Sequence, residues 1–161
     1  MAVTYRARVK PVLSRTAEVA VWRWISLRDF APYFETSANV DDGNDTLNGA
    51  AYLTFGLHYN LSYIRSWESR ITPGRNCTAF RAVLGLSDRS DDGSTGKLSF
   101  TADDAPIYES PPLTPGMTVP VAFELAEPYR FGLIATNTSA EAVAAYPMVG
   151  NGELYCTGID D

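Results

Sequence analysis

The stretch that decides the fold is TVPVAFEL, residues 118–125, because apolar side chains recur there at every second position. A period of two is the signature of a β-strand with one buried face, since successive side chains of a strand point to opposite sides. The stretch therefore predicts a strand whose inner face is formed by Val119, Val121, Phe123 and Leu125.

The same alternation recurs through most of the chain. It is clearest in TAFRAVLGL (78–86) and KLSFTAD (97–103), and further strand segments are VAVWRWISL (19–27), AAYLTFGL (50–57), LSYIRSW (61–67), YRFGLIAT (129–136) and GELYCTGI (152–159). Turn dipeptides separate them: Asp42-Gly43, Asn48-Gly49, Pro73-Gly74, Asp92-Gly93, Pro115-Gly116 and Asn151-Gly152. Many short strands between turns predict an all-β chain, an antiparallel β-sandwich or jelly roll.

Length and composition indicate one domain spanning residues 1–161. An apolar fraction of 45% is typical of a globular protein that buries a core. The only helix signal is TSAEAVAA (138–145), with Ser139 as its cap, and Pro147 limits it to two turns.

Charge is unevenly distributed along the chain. Residues 1–28 carry a net +5 and the remainder −11, for a total of −6. The alternation in VTYRARVK (3–10) places the early positive charges on one face of a basic N-terminal strand, residues 1–15. This strand can dock on an acidic surface such as a partner subunit, or it can simply be solvated. We do not expect a nucleic-acid partner.

No stretch is long and apolar enough to span a membrane, and the N-terminus lacks the apolar centre of a signal peptide. The chain is therefore expected either to stay unsecreted or to have lost a leader. Cys77 and Cys156 have no metal-binding spacing, and a single disulfide and two reduced thiols both stay open.

The chain contains a single histidine, His58, and this argues against catalysis. Nucleophilic triads need a histidine with an activated serine and a carboxylate, and no G-x-S-x-G elbow accompanies it. A zincin motif needs two histidines one helical turn apart. Glu68 and Glu109 can be nominated as a glycosidase pair, but nothing in the sequence sets their separation. We expect no enzyme activity.

An acidic turn, DDGND (41–45), is the best candidate for a metal site. Calcium takes six to eight oxygen ligands, and Asp41, Asp42 and Asp45 can supply several of them. Solvated turn carboxylates are the alternative. No other cofactor is indicated.

Aromatic and polar residues cluster directly after His58, in HYNLSYIRSW (58–67). Flat exposed rings with planar polar groups beside them are suited to binding sugars, whereas the same rings can also belong to a core. The candidate ligand-binding residues are His58, Tyr59, Asn60, Tyr63, Arg65 and Trp67.

The order of these motifs resembles the NPCBM family of carbohydrate-binding modules, over roughly residues 22–159. The resemblance is carried by WISLRDFAPYF (24–34), LNGAAYLTFGLHYN (47–60), CTAFRAVLGLSD (77–88), GKLSF (96–100), DDAPIYESPPL (103–113) and FGLIATNTS (131–139). It implies a galactose-binding-like jelly roll, non-catalytic and extracellular or displayed on a cell surface, that binds glycans.

Two features depart from that family. Its usual final Asp-His-Ala-Asp-Trp-like strand is replaced by AAYPMVGNGELYC (144–156), and the basic strand 1–15 lies outside the pattern. The second feature keeps an alternative open, in which the sandwich serves a virion as a capsid-decoration or tail component and binds neighbouring protein subunits.

Overall fold

The computed structural model describes residues 19–36, 43–57 and 65–159, and nearly all of their regular structure is β-strand. A 3-10 turn at Leu27–Asp29 follows the first strand. The strands β1 to β11 run over Arg23–Ser26, Phe34–Glu35, Asn44–Leu47, Ala50–Gly56, Ser66–Ile71, Cys77–Leu86, Gly96–Ala102, Ala105–Glu109, Thr118–Glu124, Phe131–Asn137 and Pro147–Cys156.

These strands form two antiparallel sheets, which confirms the predicted β-sandwich. Sheet A has the order β3-β4-β11-β6-β9, with β1 also paired to β11, and sheet B has the order β2-β5-β10-β7-β8. The predicted strands at 78–86, 97–103 and 118–125 correspond to β6, β7 and β9. The basic strand 1–15 and most of the predicted strand 61–67 lie outside the described residues.

The core lies between the two sheets and is centred on Phe80 of β6. Its ring centroid is 4.9 Å from that of Phe100, 5.1 Å from that of Phe123 and 5.3 Å from that of Phe131. Because Phe80 and Phe123 belong to sheet A and the other two rings to sheet B, the cluster joins the sheets. Each aromatic pair of this kind contributes about 0.5–1.5 kcal/mol beyond its buried area.

The β3–β4 hairpin, at one edge of sheet A, turns back over the outer face of that sheet, where Leu47 lies against Gly85 of β6. Its Asn48-Gly49 turn has φ of 50° and 76°, the two positive values that a two-residue hairpin requires, so the predicted turn is confirmed. Glycine at 150 makes room for the hairpin, because a side chain there would lie 2.9 Å from the ring of Tyr52. Leu47 of the hairpin and Met148 of β11 are both fully buried.

The prediction of a turn at Asn151-Gly152 is wrong, because these two residues form a β-bulge inside β11. The register on β6 passes from Val83↔Gly150 to Arg81↔Glu153, so β11 contains one extra residue there. Asn151 adopts φ 50°, in the left-handed region. Since side chains alternate, the extra residue keeps Glu153 facing outward and Leu154 in the core.

The predicted helix at 138–145 is wrong. The Asn137 amide organises this segment as a loop: its Oδ1 accepts the Ser139 N–H at 2.9 Å, and its Nδ2 donates to the Val143 carbonyl at 2.9 Å. Ala142 has φ 66°, which a right-handed helix cannot contain. Side-chain bonds of this type compete with helix formation, and here they prevail over alanine's propensity.

Cys77 and Cys156 form a disulfide, which resolves the alternative left open by the sequence. The two residues face each other in the β6–β11 register, and 79 positions separate them in the chain. The bridge therefore joins the beginning of β6 to the end of β11.

Candidate functional site

Most of the predicted ligand-binding residues belong to one connection, between β4 and β5. His58, Tyr59, Asn60 and Tyr63 lie outside the described residues. The connection begins after Leu57, whose N–H donates to the Pro147 carbonyl at 3.1 Å. It therefore starts where β4 and β6 end and β11 begins, and we call this part of the molecule, with residues 87–95 and 138–146, the loop end.

Arg65 completes the connection and is fixed by the loop at 138–146. Its guanidinium donates to the carbonyl and the side-chain oxygen of Asn137, both at 3.4 Å, and to the Ser139 carbonyl. In return, the Asn137 N–H donates to the Arg65 carbonyl at 2.7 Å. Arg65 thus anchors the predicted ligand-binding segment at the loop end.

An aromatic ring, an arginine and a carboxylate lie together at the loop end. The Arg89 guanidinium lies over the ring of Tyr146, 4.9 Å from its centroid, and Arg89 Nη2 is 2.9 Å from Asp45 Oδ2. Ser90 accepts the Tyr146 N–H at 3.0 Å, which fixes the backbone of that ring. The Arg89 side chain is 45% exposed and the Asp45 side chain only 9%, so the guanidinium faces the surface beside the ring and the carboxylate holds it in place.

The prediction of Trp67 as a ligand-binding residue is wrong. The sequence allowed it to be an exposed platform for a sugar, but only 1% of its surface is accessible. Its ring packs edge-on against Phe55, with centroids 5.0 Å apart. Trp67, Ser69 and Ile71 alternate inward along β5, so the indole belongs to the core.

Of the three predicted calcium ligands, one lies in the described part of the chain. Asp41 and Asp42 lie outside the described residues. Asp45 is described, and Arg89 neutralises it; burial tends to raise the pKa of this carboxyl, but hydrogen bonds from Ser87, Arg89 and the Thr46 N–H outweigh burial and lower it. Among the described residues no cluster of three metal-ligating side chains occurs. The calcium site stays a prediction.

A second polar and aromatic surface lies on the outer face of sheet A, where the hairpin does not cover it. We call it the Trp24 face, and it consists of Trp22, Trp24, Arg81, Glu153 and Tyr155. The ring centroids of Trp24 and Tyr155 are 5.1 Å apart, and those of Trp22 and Tyr155 5.5 Å. The Arg81 guanidinium lies 3.9 Å from the centroid of Trp24.

An open groove of about 320 Å³ lies beside Arg81 and Glu153 of this face. Asn151 stands at one side, and its Oδ1 accepts the Leu53 N–H at 3.0 Å. At the other side, Arg81 Nε and Nη2 both donate to Oε2 of Glu153, at 2.8 and 2.6 Å. The lining residues are Arg81, Ala82, Val83, Asn151 and Glu153.

Sequence reasoning missed the Trp24 face, although one signal for it was present. In VWRWIS the buried Ile25 sets the register of β1, which places Trp24 on the outside of the sheet. Its partners cannot be read from the sequence, because Arg81 and Glu153 are 72 positions apart and a bulge sets their register.

No protein-family model matches this sequence, and no curated protein matches it significantly. No helix in the described ranges has the length and apolar character needed to cross a bilayer.

Several solved structures share the fold. One contains the M60 catalytic domain with the CBM51-1 and CBM51-2 domains of Clostridium perfringens ZmpB (TM-score 0.65, 16% identity, 84% of this chain). Another is the CBM51 of Clostridium perfringens GH95 in complex with methyl-galactose (TM-score 0.65, 12% identity, 82% of this chain and 99% of that one). A third is CBM51-2 of ZmpB in complex with GlcNAc, with INT domains (TM-score 0.66, 10% identity, 83% of this chain).

The chain spans only 15% of the first of these structures and 32% of the third, since both contain further domains. The likenesses confirm the predicted fold class, an all-β galactose-binding-like sandwich of the kind found in carbohydrate-binding modules.

Proposed function

We propose that this chain is a non-catalytic module that binds carbohydrate, with the loop end as its contact surface. One observation carries the proposal: the structural match extends over 82% of this chain and 99% of a CBM51 module whose structure contains methyl-galactose. A second CBM51 structure of the same fold contains GlcNAc. Neutral hexoses are therefore the first ligands to test.

The chemistry of the loop end supports this choice. Sugar sites combine apolar surface with a few well-placed polar groups, and the Arg89, Tyr146 and Asp45 cluster supplies both. The segment with His58, Tyr59, Asn60 and Tyr63 connects Leu57 to Arg65, and both of these residues are anchored at the loop end. We propose that this segment contributes the remaining ligand contacts.

A glycan array that includes galactosides and GlcNAc glycans tests the function, followed by titration calorimetry with the best ligand. Arg89→Gln and His58→Ala are expected to weaken binding at least tenfold, because each removes a polar contact from the proposed surface. Lys97→Gln is the matched control, since Lys97 forms an exposed ion pair with Glu109 on sheet B. A wild-type chain that binds no glycan would overturn the proposal.

We also propose an extracellular or cell-surface location. The Cys77–Cys156 disulfide is stable in an oxidising compartment and is rare in the cytosol. The alternative of a virion component stays a prediction, because the basic strand 1–15 on which it depends lies outside the described residues.

A further inference from the structure

We infer that the groove beside the Trp24 face is a second carbohydrate subsite, which takes one uncharged pyranose unit. The inference rests on the proposed function and adds a separate site to it. The loop end lies where β11 begins, whereas the groove lies at the bulge, halfway along the same strand.

The bulge builds this groove from residues that are distant in the chain. Its one extra residue leaves Glu153 outward and opposite Arg81. The hydrogen bond from the Leu53 N–H fixes the Asn151 side chain at the other side. Bulges commonly redirect a side chain next to a binding site.

Charge in the groove favours an uncharged ligand. Arg81 and Glu153 neutralise each other, so neither a carboxylate nor an ammonium group gains a net partner there. Both contacts use Oε2 of Glu153, which leaves Oε1 to accept and Arg81 Nη1 to donate among the described residues. A donor beside an acceptor matches the neighbouring hydroxyls of a sugar, each of which can both donate and accept.

Aromatic rings hold the polar pair in place and extend the surface. Trp24 lies under the Arg81 guanidinium at 3.9 Å, and such a stacked arginine loses less freedom when it binds. Tyr155 and Trp22 continue the row from Trp24, and Trp22 is 39% exposed. A flat ring at that position can pack against the C–H face of an adjoining sugar unit.

The size and polarity of the groove fit a sugar better than a protein partner. Its volume of about 320 Å³ falls near the lower limit of small-molecule sites, roughly 300–1,000 Å³. The centres of protein interfaces are depleted in charged residues, whereas an ion pair lines this groove. We therefore propose a sugar as the occupant of the groove, and not a second copy of the chain, which the experiment below can detect.

The test is titration of the full chain with the best array ligand and with methyl-galactoside. Binding is measured by tryptophan fluorescence and by calorimetry. Glu153→Gln preserves shape but removes the anionic acceptor, so binding at the groove, which the tryptophan fluorescence follows, is expected to be at least tenfold weaker, while calorimetry still detects binding at the loop end. Trp22→Ala is the second variant, because it leaves the Arg81 and Glu153 pair intact; a smaller loss, about threefold, is expected. Glu109→Gln is the matched control and should bind as the wild type does.

Each other outcome overturns one identifiable claim. Glycan binding that Arg89→Gln abolishes while Glu153→Gln and Trp22→Ala leave it unchanged would remove the groove subsite and keep the proposed function. If the wild type binds no glycan, the proposed function fails and the subsite with it. Self-association that Glu153→Gln disrupts without sugar would assign the groove to a second copy and overturn the inference.

Discussion

Asp45 shows how one carboxylate can serve the fold where its sequence context favoured a metal. It lies in an acidic turn, yet its charge is directed to Arg89 at 2.9 Å and to the Thr46 N–H at 2.8 Å. These bonds, with one from Ser87, lower its pKa below the ordinary 3.8 despite partial burial. Arg89 is in turn the residue that covers the ring of Tyr146.

Asp45→Asn is expected to destabilise the chain by about 1 kcal/mol at pH 7, because the partly exposed ion pair is lost. A carboxyl whose pKa is lowered by folding stabilises the native state above its unfolded pKa, and this stabilisation is lost as pH falls through the folded pKa. The difference between variant and wild type should therefore shrink as the pH falls below about 4. Urea unfolding at several pH values measures it, and a difference independent of pH would contradict the assignment.

Trp67 shows what a residue-level interpretation needs from its neighbours. The polar stretch around it favoured an exposed ring, but Trp67, Ser69 and Ile71 occupy alternate positions in a strand that also carries the outward Glu68 and Arg70. That alternation was present in the sequence. The average polarity of the segment concealed it, whereas the position of each residue would have placed the indole in the core.

At the scale of elements, long strands were predictable because their period-two pattern is local. The bulge in β11 was not, because Asn-Gly has the same chemistry in a tight turn and in a bulge: both need a residue that tolerates positive φ. Only pairing with β6, which is distant in the chain, distinguishes them. The loop at 138–146 was missed for a similar reason, since its geometry depends on the side chain of Asn137.

Asn151→Val is expected to destabilise the chain by about 1–3 kcal/mol more than Asn151→Gly, because a β-branched residue is strained at φ 50°. Both variants lose the hydrogen bond with the Leu53 N–H, so their difference isolates backbone strain. Denaturant unfolding of the pair measures it. Equal stability would mean that the bulge does not require the left-handed conformation.

At the scale of the whole molecule, two sheets were predictable and the surfaces that they create were not. Alternation reports which side of a strand is buried, whatever its partner. The Arg81 and Glu153 pair, in contrast, exists only because β6 and β11 are neighbours in one register. A binding surface made of cross-strand pairs has no local signature in the sequence.

Removing the disulfide with Cys77→Ser and Cys156→Ser is expected to lower the free energy of unfolding by about 2–4 kcal/mol, because the bridge closes a loop of 79 positions in the unfolded chain. Denaturant unfolding of the double variant against the wild type measures the loss. The wild type in a strong reductant is the control and should approach the variant. Equal stability of oxidised and reduced wild type would contradict this role.

The pairing of β1 with the end of β11 has a practical consequence for attachment. Arg23 lies opposite Cys156, so the described chain enters and leaves the sandwich at one pole, and β11 extends ten residues, about 30 Å, towards the other. If the chain is attached to a surface at this pole, the loop end faces away from that surface. The aromatic row that begins at Trp22 lies next to the point of attachment, so close packing of attached chains would hinder access to the groove before it hinders access to the loop end.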